Sequence, residues 1–181
     1  MARTTMLRAQ IDAAEAMLDR IFIAIDAYRG DASAFPLSLD LARLTGILRI
    51  HYSLGDRLLY PFLIASGQRE TAEIARGFQR EIGHLGRRFD RFMQCWSSSS
   101  AIASDVPQFR CEAEVMLTAL RERLRRETRD LFPLADALAE PATVRVRARP
   151  HRKSPPVQAG ATVSISDEMQ SKWQVSWRDT L

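Results

Sequence analysis

The stretch RIHYSLGDRLLYPFL, Arg49 to Leu63, decides the fold when it is set beside RLRRETRDLFPLADAL, Arg123 to Leu138. Both carry apolar residues at helical spacing, and both close on one step: Leu59-Tyr60-Pro61 in the first and Leu131-Phe132-Pro133 in the second. Aligning the prolines puts Tyr60 on Phe132, Gly55 on Glu127, Asp56 on Thr128 and His51 on Arg123. Proline inside a helix removes a backbone donor and pushes on the carbonyl four residues back, so at Pro61 the helix is expected to kink or end, near Arg57 to Ala65.

Working outward, the same period runs through the rest of the first 140 residues. Leu7, Ile11, Ala14, Leu18, Ile21 and Ile25 step by fours and threes, the seam of a long amphipathic helix, and Gly30 supplies its stop. A second helix restarts near Pro36, taken as a first-turn residue, with a seam of Leu37, Leu41, Leu44, Leu48, His51, Gly55 and Leu58. Here a histidine and a glycine stand where large apolar side chains belong. Ser66-Gly67-Gln68 makes a turn. The third helix, about Arg69 to Trp96, presents Ala75, Phe78, Ile82, Leu85, Phe89, Phe92 and Trp96. Residues 97–106 read as a loop in which Ser104 and Asp105 cap a fourth helix, with Pro107 in its first turn. That helix carries Ala113, Leu117, Leu120, Leu124, Glu127, Leu131, Leu134 and Leu138 on its seam. Four long helices with short connections predict an all-α, up-down-up-down four-helix bundle over residues 1–140.

Residues 141–181 have another character. PATVRVRARPHRKSPPVQAG, 141–160, is rich in Pro and Arg with little to bury, an irregular basic linker. Beyond it, Ser166-Asp167 is placed to cap a short helix presenting Met169, Trp173 and Trp177, and paired tryptophans in a polar tail need a partner surface, either their own bundle or another protein. Residues 1–140 hold 19 Arg and no Lys against 19 Asp plus Glu, whereas 141–181 hold 7 basic residues against 3 acids. The whole net charge of +4 therefore belongs to the tail, and an electrically balanced bundle is not a phosphate-binding surface. Cys95 and Cys111 lack C-x-x-C spacing and read as reduced thiols with a structural role. No apolar run approaches the ~18 residues of a membrane span, and the N-terminus lacks a signal-peptide core, so a cytoplasmic protein is expected.

The two-copy arrangement resembles the hemerythrin-like, or HHE cation-binding, family. The resemblance covers residues 5–139 and rests on HYSLGDRLLYP at 51–61 and ETRDLFP at 127–133, supported by LRAQID at 7–12 and FQREI at 78–82. It implies a di-iron bundle in which the second and fourth helices each carry a histidine followed one turn later by an acid. It also implies histidines where this chain has Ile11 and Ile82. His51 matches, but its acid partner is Gly55; Glu127 matches, but its histidine partner is Arg123. Di-iron centres need imidazoles and carboxylates converging from all four helices, so the resemblance to the fold is close and that to the metal site is not.

The remaining polar residues give two expectations. In the first, His51 and Glu127 pair across the core with Arg123 beside them, no cofactor is held, and the protein is a non-enzymatic interaction or regulatory protein of the bacterial type, its tail recruiting a partner through Trp173 and Trp177. In the second, it is a sensor that keeps iron or another divalent metal on His51, Glu127 and Asp56, or a small ligand in a cavity beside Gly55 and Gly86. Di-iron enzyme chemistry is a third reading, which the ligand count opposes. His84 is read as a flank residue, His151 as exposed, and Tyr52 and Tyr60 as core. The chain has no glycine-rich phosphate loop, nucleophile elbow or H-E-x-x-H.

Overall fold

The computed structural model describes residues 4–139. Among them every regular element is helical: α1 (Thr5–Asp26), α2 (Asp31–Leu54), a π-helical turn (Gly55–Leu59), α3 (Tyr60–Ile64), α4 (Arg69–Trp96), α5 (Ser99–Ser104), α6 (Val106–Arg126), a second π-helical turn (Glu127–Leu131) and α7 (Phe132–Ala139). The linker, His151, Trp173 and Trp177 lie outside the described residues.

Four long helical runs form the bundle expected from the apolar seams. Their directions follow from the ion pairs that join them. Asp19 pairs with Arg121 and Glu15 with Arg125, so α1 and α6 run antiparallel. Trp96 Nε1 donates to Glu112, while Arg126 bonds Glu81, so α4 and α6 do the same. At the α1–α2 turn Gly30 adopts φ +116°, a conformation that side-chain-bearing residues rarely take, and Arg20 and Arg43 both bond the buried Asp40.

The seams account for the core. All six expected residues of α1 are buried, as are Leu37, Leu41, Leu44 and Leu48 of α2. Full burial of such a side chain stabilises by about 1.5–3 kcal/mol. Phe89, Phe92, Trp96 and Phe109 form an aromatic wall, with Trp96 edge-on to Phe109 at 5.5 Å. Phe78 is only half-buried.

Three expectations need correction. Pro36 lies inside α2 rather than in its first turn, because the helix already begins at Asp31. The polar run after Trp96 is not a loop: Ser98 Oγ accepts from Ala101 N–H and starts α5, which buries Ile102. Asp105 then caps α6 through Gln108 N–H at 3.0 Å, while Ser104 turns back to the Ala101 carbonyl.

The third correction concerns register. The helical period puts Leu58 on the seam of the second helix, whereas its side chain is 61% exposed. The π-helical turn explains it. The Tyr60 N–H bonds the Gly55 carbonyl five residues back, so one extra residue enters the turn and Leu59 and Tyr60 rotate inward instead. The second turn behaves alike: Phe132 N–H bonds the Glu127 carbonyl, and Phe132 and Ala135 are buried where Leu134 was expected. Each π-helical turn ends immediately before an aromatic-proline step, where the proline lacks an N–H and crowds the preceding turn.

Candidate functional site

The aligned repeats bring their polar residues to one place in the core. His51, in the last turn of α2, directs Nε2 to Glu127 Oε2 at 3.2 Å. Arg123, one turn before Glu127, donates from Nη1 to the same oxygen at 2.9 Å. These three side chains are buried almost completely, His51 and Arg123 at 1% exposure and Glu127 at 2%.

Arg123 reaches further. Its Nη2 donates to Tyr60 Oη at 2.9 Å and to the Phe78 carbonyl at 3.3 Å. Nε lies 3.8 Å from Glu81 Oε2, and the guanidinium carbon sits 4.5 Å from the centre of the Phe78 ring, within cation–π range. Glu81, half-exposed, also bonds Arg126. One guanidinium therefore contacts both proline-step helices and α4.

The electrostatics follow from burial set against partners. Burial would raise the Glu127 pKa, but the hydrogen bond and charge of His51 and then the Arg123 guanidinium outweigh it, and the carboxyl is held below its usual range. An ionised carboxylate accepts and cannot donate, so His51 Nε2 carries the hydrogen of this bond. Its Nδ1 is left buried without a hydrogen-bond partner, as is Tyr52 Oη. Burial would also strip the proton from Arg123; Glu127, Tyr60 and Glu81 reverse this and raise its pKa. Burial above all pushes the Tyr60 and Tyr52 phenols far upward, so both stay protonated.

Gly55 stands at the position equivalent to Glu127. It is buried, and a Cβ built there would lie 3.3 Å from Tyr60 Cε2, so the ring fills the space an acid would need. Gly86, expected to face the interior, is half-exposed with nothing within 4 Å of a built Cβ. Its half-exposure places it at the flank of the bundle, with open space around a built Cβ. Asp56 is exposed and stands apart from the buried group, because it follows Gly55 out to the solvent face. His84 is exposed and bonded to Arg87. Cys95 and Cys111 are free and exposed, lining one groove with Arg88, Arg91 and Met116.

The pairing of His51 with Glu127 and the nearness of Arg123 were visible in the sequence. The roles of Tyr60, Phe78 and Glu81 were not. Tyr60 and Arg123 are 63 residues apart, and no spacing rule links them.

These residues do not fit a di-metal centre. One imidazole and one carboxylate face each other, a guanidinium already neutralises the carboxylate, and Ile11 and Ile82 are buried apolar side chains. Among the described residues no three His, Cys, Asp or Glu side chains come together in a group that could hold a metal ion. No helix among them is long and apolar enough to cross a membrane.

In comparison with protein families, the model described as Hemerythrin HHE cation binding domain matches residues 4–135. No curated protein and no solved structure matches the chain.

Proposed function

The chain belongs to the hemerythrin HHE cation-binding domain family, and from that premise we propose that it is a member without the family's metal chemistry, acting as a non-enzymatic interaction or regulatory protein. The observation that carries the reading is the donor set of the core. Glu127 Oε2 is engaged by both His51 and Arg123, and Gly55 has given its side-chain space to Tyr60. A metal ion entering here would displace a buried ion pair and meet a positive guanidinium, both opposed by several kcal/mol or more.

Without redox or Lewis-acid chemistry to perform, the bundle serves as a scaffold, and the partner is sought in residues 141–181, whose basic linker and paired tryptophans are the chain's recruitment signal. The cytoplasm is the proposed compartment. The second reading, a sensor holding one metal or a small ligand at His51 and Glu127, is supported by the unpartnered His51 Nδ1 and Tyr52 Oη, two buried polar atoms with unmet hydrogen-bonding capacity.

Metal analysis of the full chain purified from iron-supplemented cells tests the proposal. The expected result is substoichiometric metal. Close to two iron ions per chain with an oxo-bridge absorption band overturns it, and one ion per chain lost on His51→Ala or Glu127→Ala establishes the sensor instead. Deleting residues 141–181 should abolish partner binding and leave helicity and thermal unfolding of the bundle unchanged.

A further inference from the structure

We infer that Arg123 is a resident cation: its guanidinium occupies, from within the chain, a buried site in the bundle that is shaped for a planar, forked cation and not for a metal ion. The inference rests on the reading that the core holds no metal, and goes beyond it by assigning what the position is built to bind.

The site surrounds the guanidinium with partners of the right chemistry. Nη1 meets the Glu127 carboxylate, and Nη2 meets the Tyr60 hydroxyl and the Phe78 carbonyl. The Glu81 carboxylate lies on the Nε side, and the Phe78 ring covers a face of the ion. A flat delocalised cation engages Glu127, Tyr60, the Phe78 carbonyl and the Phe78 ring at once, because its donors lie in the plane and its weakly hydrated faces accept an aromatic ring; only Nε, 3.8 Å from Glu81, is buried without a hydrogen-bond partner. A divalent metal uses few of them. It draws nothing comparable from the face of a phenylalanine ring, and a protonated phenol is a weak ligand.

Three departures from repeat symmetry then become one structural unit. Gly55 leaves the space that an acid side chain would fill. Tyr60 puts its ring into that space, 3.3 Å from where a Cβ at position 55 would stand, and presents its hydroxyl to Arg123. Arg123, standing where the other repeat has His51, brings the positive charge that Glu127 requires when 2% exposed. A buried carboxylate left without its cation is strongly destabilising, so Glu127 and Arg123 are each acceptable only in the presence of the other.

A site built for a guanidinium should accept one from solution once the side chain is cut back. In Arg123→Ala, thermal unfolding is followed with guanidinium chloride in the low millimolar range, far below denaturing concentrations, against equal sodium chloride and methylammonium chloride. The expected result is a concentration-dependent rise in the Tm of the variant that follows mass action, is absent with the two control salts, and is absent in the wild type. An equal response of variant and wild type, or of variant to all three salts, overturns the inference. Should Arg123→Ala fail to fold, Arg123→Met is compared with Arg123→Met/Glu127→Gln. The double variant, with both charges removed, should be the more stable of the two, and a double variant no better than the single one overturns the inference. Titration of the wild type with ferrous ion separates the two levels: binding that needs His51 and Glu127 refutes the absence of metal chemistry, whereas failed rescue with no metal bound refutes the resident cation alone.

Discussion

In the first repeat, His51 to Pro61, the chain makes a π-helical turn around a glycine; in the second, Arg123 to Pro133, it makes the same turn around a buried glutamate. The backbones agree closely. Gly55 N–H bonds the carbonyls of His51 and Tyr52, and Glu127 N–H those of Arg123 and Leu124; Tyr60 and Phe132 then close the five-residue turns. The inward polar side chains diverge: His51 stands against Arg123 and Gly55 against Glu127. The deformation therefore follows the aromatic-proline step, which both copies have, and not the acid, which only the second has. The same distortion forms with a glycine or a glutamate at its start, and the proline step is what the two turns share.

That separation predicts where substitutions will hurt. The largest effect is expected in the second repeat. Glu127→Ala leaves the Arg123 guanidinium buried with its main counter-charge gone, and breaking a buried pair in this way costs about 3–5 kcal/mol; urea unfolding measures it. The same residue sets an acid limb. The folded state holds Glu127 below its ordinary pKa, so between the two values the unfolded chain binds more protons. The stabilisation is complete above the ordinary carboxylate range and is lost as pH falls through the folded value. Glu127→Gln should accordingly lose less stability than the wild type as pH falls from 7 towards 3.

In the first repeat the sensitive position is the glycine. Gly55→Ala places a Cβ 3.3 Å from the Tyr60 ring. The ring cannot easily retreat, since its hydroxyl is held by Arg123 and its neighbours are buried. Overpacking of this kind costs about 1–3 kcal/mol, set against a helix-propensity gain of about 1 kcal/mol, so a net loss is expected. A Gly55→Ala variant as stable as the wild type would show that Tyr60 is free to move. Tyr60→Phe tests the hydroxyl alone: it removes one acceptor from Arg123 and should cost about 1 kcal/mol, with no change in helicity by circular dichroism.

Much of this was legible in the sequence, up to a definable point. The seams of α1, α2 and α4 follow the helical period, and a period reports burial wherever the helix stays regular. It fails at the π-helical turns, where one inserted residue exchanges Leu58 for Leu59 and Leu134 for Ala135. Pro61 announces a distortion in the first repeat, but not that it is a register shift, and the seam of the second repeat runs on through Pro133 with no break expected. In the site, His51 and Glu127 could be paired because both fall on inward seams at comparable depth. The filling of the Gly55 space by Tyr60 and the bond from Tyr60 to Arg123 depend on side-chain reach across the bundle, which spacing along one helix does not encode. Asp56 illustrates the converse: its residue type suited a ligand, and its place on the helix put it in solvent.

The smallest effect supplies the control for the comparison. Gly86 lies within α4, its φ is not positive, and a Cβ built there meets nothing within 4 Å. Gly86→Ala should therefore gain helix propensity without a packing penalty and stabilise by about 0.5–1 kcal/mol, partly by narrowing the unfolded ensemble. The two glycines were indistinguishable as gaps in an apolar pattern, and the same substitution at each is expected to change stability in opposite directions. If both variants gain stability, the crowding of Gly55 by Tyr60 is too soft to matter. If both lose it, an unoccupied space next to Gly86 is being used by the native protein, and the contrast between a filled and an open glycine position collapses.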